Sequence, residues 1–387
     1  MTTGTSDTAR LRAALAGELA AEGFLRSPVW REAFERVPRH VFAARYWVSE
    51  ADGTWSQRDV ADPDQDLQAH AMAMVYSNDT LVTRIDADGT AISSSTEPSL
   101  MALMLERLDA RPGHRVLEIG TGTGYNAALL CHVMGSDAVT TIDLDPTLVS
   151  DAWAALSAAG YRPTVVCGDG ALGVASGAPY DRIIATCGVD RVPGPWAAQL
   201  ADDGALLLNL SKGIVLLRRV AGGGLGGRFL GPAGFMPLRS NDSAAALTGR
   251  QLMDATGGTP DEIGHDLVPA GLDFAMATFF TCLVADRSDL AFVHNPNGTV
   301  RSYRWLHPAS GSWSRVELSK DTAAAPAKVG QSGPRRLWTE LTPILGSWNA
   351  AGRPAIDRYG ITVTPTGEHR LWLEQPARHV GTLTAAS

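Results

Sequence analysis

Three glycines alternate directly after a short apolar run, at Gly120, Gly122 and Gly124. The run itself, Val116–Ile119, carries one acid, Glu118, two residues before the first glycine. An apolar run followed by clustered glycines predicts a buried strand, a tight turn and the start of a helix. Glycine suits such a turn because its backbone can bend sharply and lie close to a ligand. The spacing therefore predicts either a ligand-binding turn or a purely structural one.

Two further acids follow the next apolar runs along the chain. Asp143 follows residues 138–142, and Asp169 stands between two glycines after residues 164–167. Acids at the carboxyl ends of successive parallel strands share one crevice, where the first would meet a ribose diol and the second an adenine amino group. A dinucleotide-binding turn would need glycine or alanine at position 125, and Tyr125 stands there. The crevice is therefore predicted to hold an adenosyl group.

The G-x-G-x-G turn, with an acid near the end of its strand, resembles the S-adenosyl-L-methionine site of Rossmann-like methyltransferases. This resemblance implies that Glu118 and the glycines hold the methionine end of the cofactor, while Asp143 binds the ribose and Asp169 the adenine. The residues predicted to bind the cofactor are Glu118, Gly120, Gly122, Gly124, Asp143, Leu144, Asp169 and Gly170.

A run of hydroxyl side chains precedes a Met- and Leu-rich helix, in residues 93–99 (SSSTEPS). Ser and Thr directly before a helix are normally N-caps, but four consecutive hydroxyls exceed what one cap requires. Hydroxyl and backbone donors at a helix N-terminus also suit a carboxylate. Both interpretations stay open from the sequence. The candidate substrate-binding, catalytic residues are Thr96, Ser94 and Ser95.

Strands alternating with helices predict an α/β fold with a Rossmann-like, doubly wound, mostly parallel sheet. Residues 1–240 would form this domain, with a helical N-terminal segment, a surface loop at 49–70 and a reversed strand pair at the sheet edge that closes near 229–238. Residues 241–387 would form a smaller, separate α+β domain, with a strand-like piece at 274–283. The core would then not require this second domain.

Composition and charge limit the function. A net charge of −8 at pH 7 argues against a nucleic-acid partner, which needs a basic surface. No apolar run reaches membrane-spanning length, and the N-terminus lacks the regions of a signal peptide, so we expect a cytoplasmic protein. The cysteines do not stand at metal-ligand spacing, and no metal site is predicted.

The order of motifs across residues 30–240 resembles the protein-L-isoaspartate O-methyltransferase family. The segments that carry the resemblance are VPRHVF (37–42), the hydroxyl–Glu–Pro segment before ALMLE (102–106), VLEIGTGTGY (116–125), GDG (168–170), YDRII (180–184) and FMPL (235–238). This family usually shows Ser where the present chain has Thr96. The hydroxyl of Thr still donates a hydrogen bond, but its methyl group adds bulk beside the substrate.

The long C-terminal extension resembles a subgroup encoded with peptide-maturation systems. The resemblance implies methylation of an aspartate in a modified, cyclised precursor peptide of ribosomal origin (a lanthipeptide or an ATP-grasp-made graspetide), which leads to an aspartimide and then isoaspartate. Five of the ten tryptophans lie in this part. They would form either its core or rigid anchors of a peptide-recognition surface.

Three functions compete at this point: a peptide-tailoring carboxyl methyltransferase, a general repair enzyme for isoaspartate in aged proteins, and a catalytically silent peptide-binding module. The intact glycine turn with its acids disfavours the module, and the extension disfavours general repair. No general base is predicted, because a carboxylate with a pKa near ~3.9 is already ionised at neutral pH.

Overall fold

The computed structural model describes residues 3–50, 54–239, 247, 249–284, 288–318 and 325–383. The predicted domain boundary at residue 240 lies outside the described residues. Within them, the chain has no helix that is both long and apolar enough to cross a membrane.

The N-terminal part combines helices with a small antiparallel sheet. Its elements are α1 (Thr3–Ala21), α2 (Pro28–Arg36), α3 (Arg39–Phe42), β1 (Arg45–Ser49), β2 (Trp55–Asp59), α4 (Gln65–Val75), β3 (Leu81–Ile85), β4 (Ala91–Ser95) and α5 (Pro98–Leu108). Its strands run in the order β2-β1-β3-β4 in the described part of the chain. Because β4 ends at Ser95 and α5 begins at Pro98, the hydroxyl segment joins a strand to a helix.

The prediction of a surface loop at residues 49–70 is wrong. β2 pairs antiparallel with β1 along its whole length, and Trp55 Nε1 donates to Gly89 O (2.8 Å). α4 begins in the same stretch, where the Asp64 side chain accepts from the backbone N–H of Asp66 (2.9 Å). The sequence did not indicate β2 or the start of α4, because neither an edge strand nor a first helical turn needs a continuous apolar face.

The central part forms the predicted doubly wound sheet. Its elements are β5 (Val116–Ile119), α6 (Tyr125–Met134), β6 (Val139–Asp143), α7 (Pro146–Ala158), β7 (Thr164–Cys167), β8 (Tyr180–Val189), α8 (Gly194–Gln199), β9 (Leu200–Leu210), β10 (Gly213–Arg219) and β11 (Leu225–Pro232). β5 pairs in parallel with both β6 and β8. The chain therefore winds away from β5 in two directions, and the crevice at such a switch point is the usual ligand site of this fold class.

The described C-terminal part adds a third sheet, three helices and three further strands. Its elements are α9 (Gly249–Ala255), β12 (Glu262–Asp266), α10 (Phe274–Thr281), β13 (Asp289–His294), β14 (Val300–His307), β15 (Ser312–Glu317), β16 (Ala327–Ser332), α11 (Leu337–Ala350), β17 (Tyr359–Val363), β18 (His369–Leu373) and β19 (His379–Thr382). Strands β12 to β16 form an antiparallel sheet in the order β12-β16-β15-β14-β13.

β10 and β11 are the predicted reversed pair, but their position at the sheet edge is a wrong prediction. β17 pairs with β11, with Val363 opposite Leu225 and Gly360 opposite Arg228. β18 and β19 follow, so the described central sheet has ten strands, in the order β19-β18-β17-β11-β10-β9-β8-β5-β6-β7. The last strands of the chain therefore belong to the same sheet as the glycine turn.

Residues 274–283, predicted as strand-like, mostly form helix α10. Asp273 caps this helix by accepting from the backbone N–H of Met276 (2.8 Å). Both Phe279 and Phe280 are buried. Periodicity alone cannot distinguish a short buried strand from a buried helix, and the local cap favours the helix.

The C-terminal part packs on the central sheet through a continuous apolar core. The ring of Phe279 on α10 meets Phe229 of β11 edge to face, with centroids 4.9 Å apart, and Tyr359 of β17 at 5.5 Å. The tryptophans beyond residue 240 are all buried: Trp305, Trp313, Trp338, Trp348 and Trp372. They therefore belong to the core, as the first of the two interpretations predicts. The division into 1–240 and 241–387 stays a prediction.

Candidate active site

The turn after β5 has left-handed backbone at each of its three glycines. The φ angles are 93° at Gly120, 51° at Gly122 and 85° at Gly124, values that residues with a Cβ rarely adopt. The backbone N–H groups of Gly120 and Thr121 donate to Ile142 O (2.9 and 3.2 Å). These bonds fix the turn against the end of β6.

The three glycines differ in what they face. A Cβ on Gly120 would lie 3.0 Å from Thr186 Oγ1, and one on Gly124 would lie 3.3 Å from Ala152 Cβ on α7. A Cβ on Gly122 would find no atom closer than 3.9 Å. Gly122 therefore borders open space, whereas Gly124 allows α6 to begin close to α7.

A cavity of about 260 Å³ lies beside this turn, at the carboxyl ends of β5 and β6. The predicted residues that line it are Ser94, Ser95, Thr96, Glu118, Gly120, Gly122, Asp143, Leu144 and Gly170. Two predicted residues, Gly124 and Asp169, are not on its wall. The structure thus brings the candidate cofactor residues and the candidate substrate residues into one cavity.

Asp143 is held next to the glycine turn. Its carboxylate accepts from the backbone N–H of Gly122 (2.9 Å) and of Asp145 (3.2 Å). One oxygen faces the turn and the other faces the start of α7. A carboxylate fixed in this way can still accept the two hydroxyls of a ribose, because each oxygen has a second lone pair.

Glu118 is fully buried and hydrogen-bonded on both oxygens. Asn126 Nδ2 donates to Oε1 (2.8 Å) and Thr141 Oγ1 donates to Oε2 (2.6 Å). The pKa of Glu118 is raised to about 7, mainly by burial and also by the charge of Asp143, against the two hydrogen bonds, which act to lower it. The free site therefore holds a carboxyl group that ionises near neutral pH.

We expect cofactor affinity to fall as the pH drops through this pKa of about 7. The sulfonium of the cofactor is positive and favours ionised Glu118, so binding below that pH must release the proton that Glu118 carries. The loss should approach about tenfold per pH unit. Calorimetry at about pH 8 and about pH 6 measures it, and Glu118→Gln should lose most of the dependence. Equal affinity of the unaltered protein at both values would contradict the assignment.

Asp169 has a local structural partner. Its side chain accepts from the backbone N–H of Ala171 (2.9 Å) and so caps the short turn after β7. The neighbouring Gly170 does line the cavity, and a Cβ there would lie 2.9 Å from Ile119 Cγ2. Asp169 directly precedes Gly170 in the chain but does not itself line the cavity. Its contact with adenine therefore stays a prediction.

The hydroxyl segment does not cap α5. The N-cap residue is Glu97, and its own side chain makes no capping hydrogen bond. The N-terminus is supported from outside the helix, since Asn78 Oδ1 accepts from the backbone N–H of Ser99 (2.8 Å). The cap interpretation of Ser94, Ser95 and Thr96 therefore loses its basis, and their role as substrate contacts stays a prediction.

Several cavity residues were not predicted from the sequence. They are Thr80, Ile92, Ser93, Met101, Thr121, Thr123, Tyr125, Asn126, Ile142, Leu148, Thr186, Cys187 and residues 234–239. The last segment is anchored because Leu238 N donates to Gly188 O (2.7 Å) and Gly188 N to Met236 O (2.8 Å). Its FMPL motif had contributed to the family resemblance, which was a usable signal that it belongs to the site.

The fold and the site together define an S-adenosyl-L-methionine-dependent methyltransferase. The switch-point crevice has a glycine turn that leaves room at Gly122, and the Asp143 and Glu118 carboxylates accompany it. Asn126 Oδ1 is buried without a hydrogen-bond partner among the described residues, and it lines the cavity. This acceptor and these acids fit a ligand with an ammonium, a sulfonium and a ribose.

Comparisons with known proteins identify the family. The family model described as Protein-L-isoaspartate(D-aspartate) O-methyltransferase matches residues 10–238. This is more than half of the chain, so the protein belongs to that family. A Protein-L-isoaspartate O-methyltransferase from Methanothermobacter thermautotrophicus is 32% identical over 228 residues, which are 57% of this chain and 91% of that protein. A protein of the same name from Hyperthermus butylicus is 32% identical over 241 residues, which are 59% of this chain and 88% of that protein.

A solved structure of a protein-L-isoaspartate O-methyltransferase supports the fold along most of the chain. The two share 22% identity with a TM-score of 0.53, and the alignment covers 94% of this chain and 100% of the other. Such coverage reaches well past residue 240. A C-terminal extension of this kind is therefore not confined to the present protein.

Proposed function

We propose that this enzyme methylates the free carboxylate of an isoaspartyl residue in a protein or peptide. The observation that carries the proposal is the shared cavity, in which Ser94, Ser95 and Thr96 face the same space as the glycine turn and Asp143. The names of the relatives, which are protein-L-isoaspartate O-methyltransferases, support the same substrate class.

The residues of the chain have to align the acceptor rather than activate it. Bound S-adenosylmethionine supplies a methyl group that its sulfonium already makes electrophilic. The acceptor carboxylate, with a pKa near ~3.9, is ionised at neutral pH, so no base has to remove a proton. Hydroxyl donors from Ser94, Ser95 and Thr96 would hold its oxygen in line with the methyl carbon, which is where most of the acceleration arises.

The product follows from ordinary ester chemistry. A methyl ester has a far better leaving group than a carboxylate, so the next backbone amide nitrogen can attack it and expel methanol. The resulting succinimide then opens in water to aspartate or isoaspartate. The enzyme needs no further catalytic group for these steps, which fits a cavity wall whose described residues include no His–acid or Cys–His pair.

A second candidate is a tailoring enzyme for a cyclised precursor peptide, in which an aspartyl side chain is the acceptor. Thr96 favours it, because its methyl group narrows the acceptor end of the cavity where the family usually has Ser. The C-terminal extension does not decide between the candidates, since a solved relative aligns over 94% of this chain. The non-catalytic module is set aside by the family assignment.

A direct competition assay tests the proposal. The enzyme would be offered a linear isoaspartyl peptide and a cyclised aspartyl precursor peptide, with mass spectrometry as the readout. We expect a gain of one methyl group on the linear isoaspartyl peptide. A methyl gain or a loss of water on the cyclised peptide alone would favour the second candidate. Methylation of neither peptide would contradict the proposed function.

The same assay with Thr96→Ala tests the acceptor site. Turnover should fall by about tenfold, the value of one hydrogen bond to a charged group, while cofactor affinity should stay nearly unchanged. Thr147→Ser, on the exposed first turn of α7, serves as a matched control and should behave as the unaltered enzyme. If Thr96→Ala lost stability and cofactor affinity together, at unchanged turnover per folded molecule, its role would be structural.

A further inference from the structure

Arg39, at the start of α3, is completely buried, and four of its five N–H groups meet backbone carbonyls. Nη1 donates to Val75 O (2.9 Å) and Ser77 O (3.0 Å). Nη2 donates to Asp79 O (2.9 Å) and Thr96 O (3.2 Å). The guanidinium thus ties the hydroxyl segment to the loop that follows α4.

The fifth N–H of Arg39 is directed to a side chain. Nε donates to Ser95 Oγ (3.3 Å). A hydroxyl that accepts a hydrogen bond still has its own hydrogen to donate, and a charged donor polarises that O–H further. Among the described residues, none accepts a hydrogen bond from Ser95 Oγ. Because Ser95 lines the cavity, this hydrogen is available to a ligand there.

The geometry of β4 places the Ser95 hydroxyl on the side of the glycine turn. Ser93 and Ser95 are both buried and are two residues apart on one strand, so their side chains lie on the same face. Ser93 Oγ lies 3.9 Å from the position of a Cβ on Gly122. The face that Ser95 shares is therefore the one directed to the cofactor cavity.

The positive charge of Arg39 has no carboxylate partner within ion-pair distance in the described part of the chain. Burial lowers the pKa of Arg39 to about 10, so the group remains protonated at neutral pH. The guanidinium carbon lies 5.9 Å from the ring centroid of Tyr125, which lines the cavity. The charge of Asp79 acts on Arg39 from beyond ion-pair distance. An anionic ligand in the cavity would further offset the cost of burying the cation.

We propose that Arg39 is a positioning residue for the acceptor carboxylate and acts through Ser95. Its Nε–H fixes Ser95 Oγ as an acceptor from the protein, so that the Ser95 hydroxyl hydrogen is donated to the carboxylate. The same charge attracts the acceptor while it is an anion and no longer does so once it is a neutral methyl ester. Arg39 therefore favours substrate over product. The inference rests on the proposed function.

Steady-state kinetics with a linear isoaspartyl peptide tests this inference. Ser95→Ala leaves four of the five Arg39 donors satisfied and should raise KM for the peptide by about 10- to 100-fold, while the Kd of S-adenosylmethionine changes less than about twofold. Arg39→Lys keeps the charge but lacks the fork of donors, and should raise KM similarly. The KM of the double variant should be no higher than that of the single variant with the larger increase.

Thr83→Ala provides the matched control. Thr83 Oγ1, on β3, donates to Ser93 Oγ (3.1 Å), which lies on the same strand as Ser95. Among the described contacts, Thr83 has none with Arg39. If Arg39→Lys fails to fold, Ser95→Ala decides alone. An unchanged peptide KM in folded Ser95→Ala overturns the inference, as do strictly multiplicative effects of the two substitutions. If the unaltered enzyme methylates no carboxylate, the proposed function itself fails, which is a separate outcome.

Discussion

Asp143→Ala should weaken the binding of S-adenosylmethionine by roughly 100-fold. Two effects combine. The ribose hydroxyls would lose a charged acceptor, and such bonds contribute about 1.5–3 kcal/mol each. The backbone N–H of Gly122 would also lose its partner at 2.9 Å, so the turn beside the cofactor would be less well fixed. Isothermal calorimetry with the cofactor or its demethylated product measures the change.

Asp145→Ala is the appropriate control for that experiment. Asp145 caps α7 by accepting from the backbone N–H of Thr147 (2.8 Å), and it does not line the cavity. Losing the cap should cost about 1 kcal/mol of folding stability with little change in cofactor affinity. Unchanged affinity in a folded Asp143→Ala protein would remove Asp143 from the cofactor site, and an equal loss in Asp145→Ala would indicate an effect on α7 instead.

The sequence was most informative where local signals agree. The predicted bounds of β5 and β7 match the structure, at Val116–Ile119 and Thr164–Cys167, and a helix follows the glycine turn as predicted. In each case a compact apolar run borders glycines or acids, and no proline interrupts it. The glycine turn was predictable for the same reason, since three positive φ angles within five residues leave few alternatives to glycine.

Features that depend on distant contacts were not predictable. The acceptors of Arg39 lie 36 to 57 residues further along the chain, so nothing in the VPRHVF motif (37–42) indicated them. Asp169 is ambiguous for another reason: its position after a strand suggested a ligand contact, which stays a prediction, and its carboxylate also caps the next turn. A short acid near glycines satisfies both patterns equally well, and only the geometry separates them.

The sheet edge at β11 illustrates the same limit on a larger scale. Residues 213–219 and 225–232 flank a glycine-rich turn, as in an antiparallel hairpin, and nothing in them indicates whether a third strand follows. The partner, β17, comes from more than one hundred residues later in the chain. Gly224 and Gly227 now have an explanation, because a Cβ would lie 2.2 Å from Val363 O in the first case and 1.9 Å from Leu216 O in the second.

Deletion of all residues after Arg239 should therefore leave a catalytic part that does not fold stably. The deletion removes β17 from the open edge of β11 and uncovers apolar side chains such as Leu225 and Phe229, which are 1% and 2% exposed. Exposing two such side chains alone costs about 3–6 kcal/mol, a large share of the roughly 5–15 kcal/mol that stabilises a typical domain. The uncovered strand edge would also promote aggregation.

Thermal unfolding with and without S-adenosylmethionine measures this dependence. The full chain should show one cooperative unfolding transition, and the cofactor should raise its midpoint temperature. The truncated chain should show no cooperative transition and no shift with the cofactor. Arg370→Ala is the control, because this exposed residue on β18 makes a surface ion pair with Glu368 that contributes less than about 1 kcal/mol. The Methanothermobacter relative is nearly spanned by a match of 228 residues, so a core without the extension exists in the family. A soluble, cofactor-binding fragment of residues 1–239 would show that this chain has retained that independence, and that the C-terminal strands only extend a sheet already stable without them.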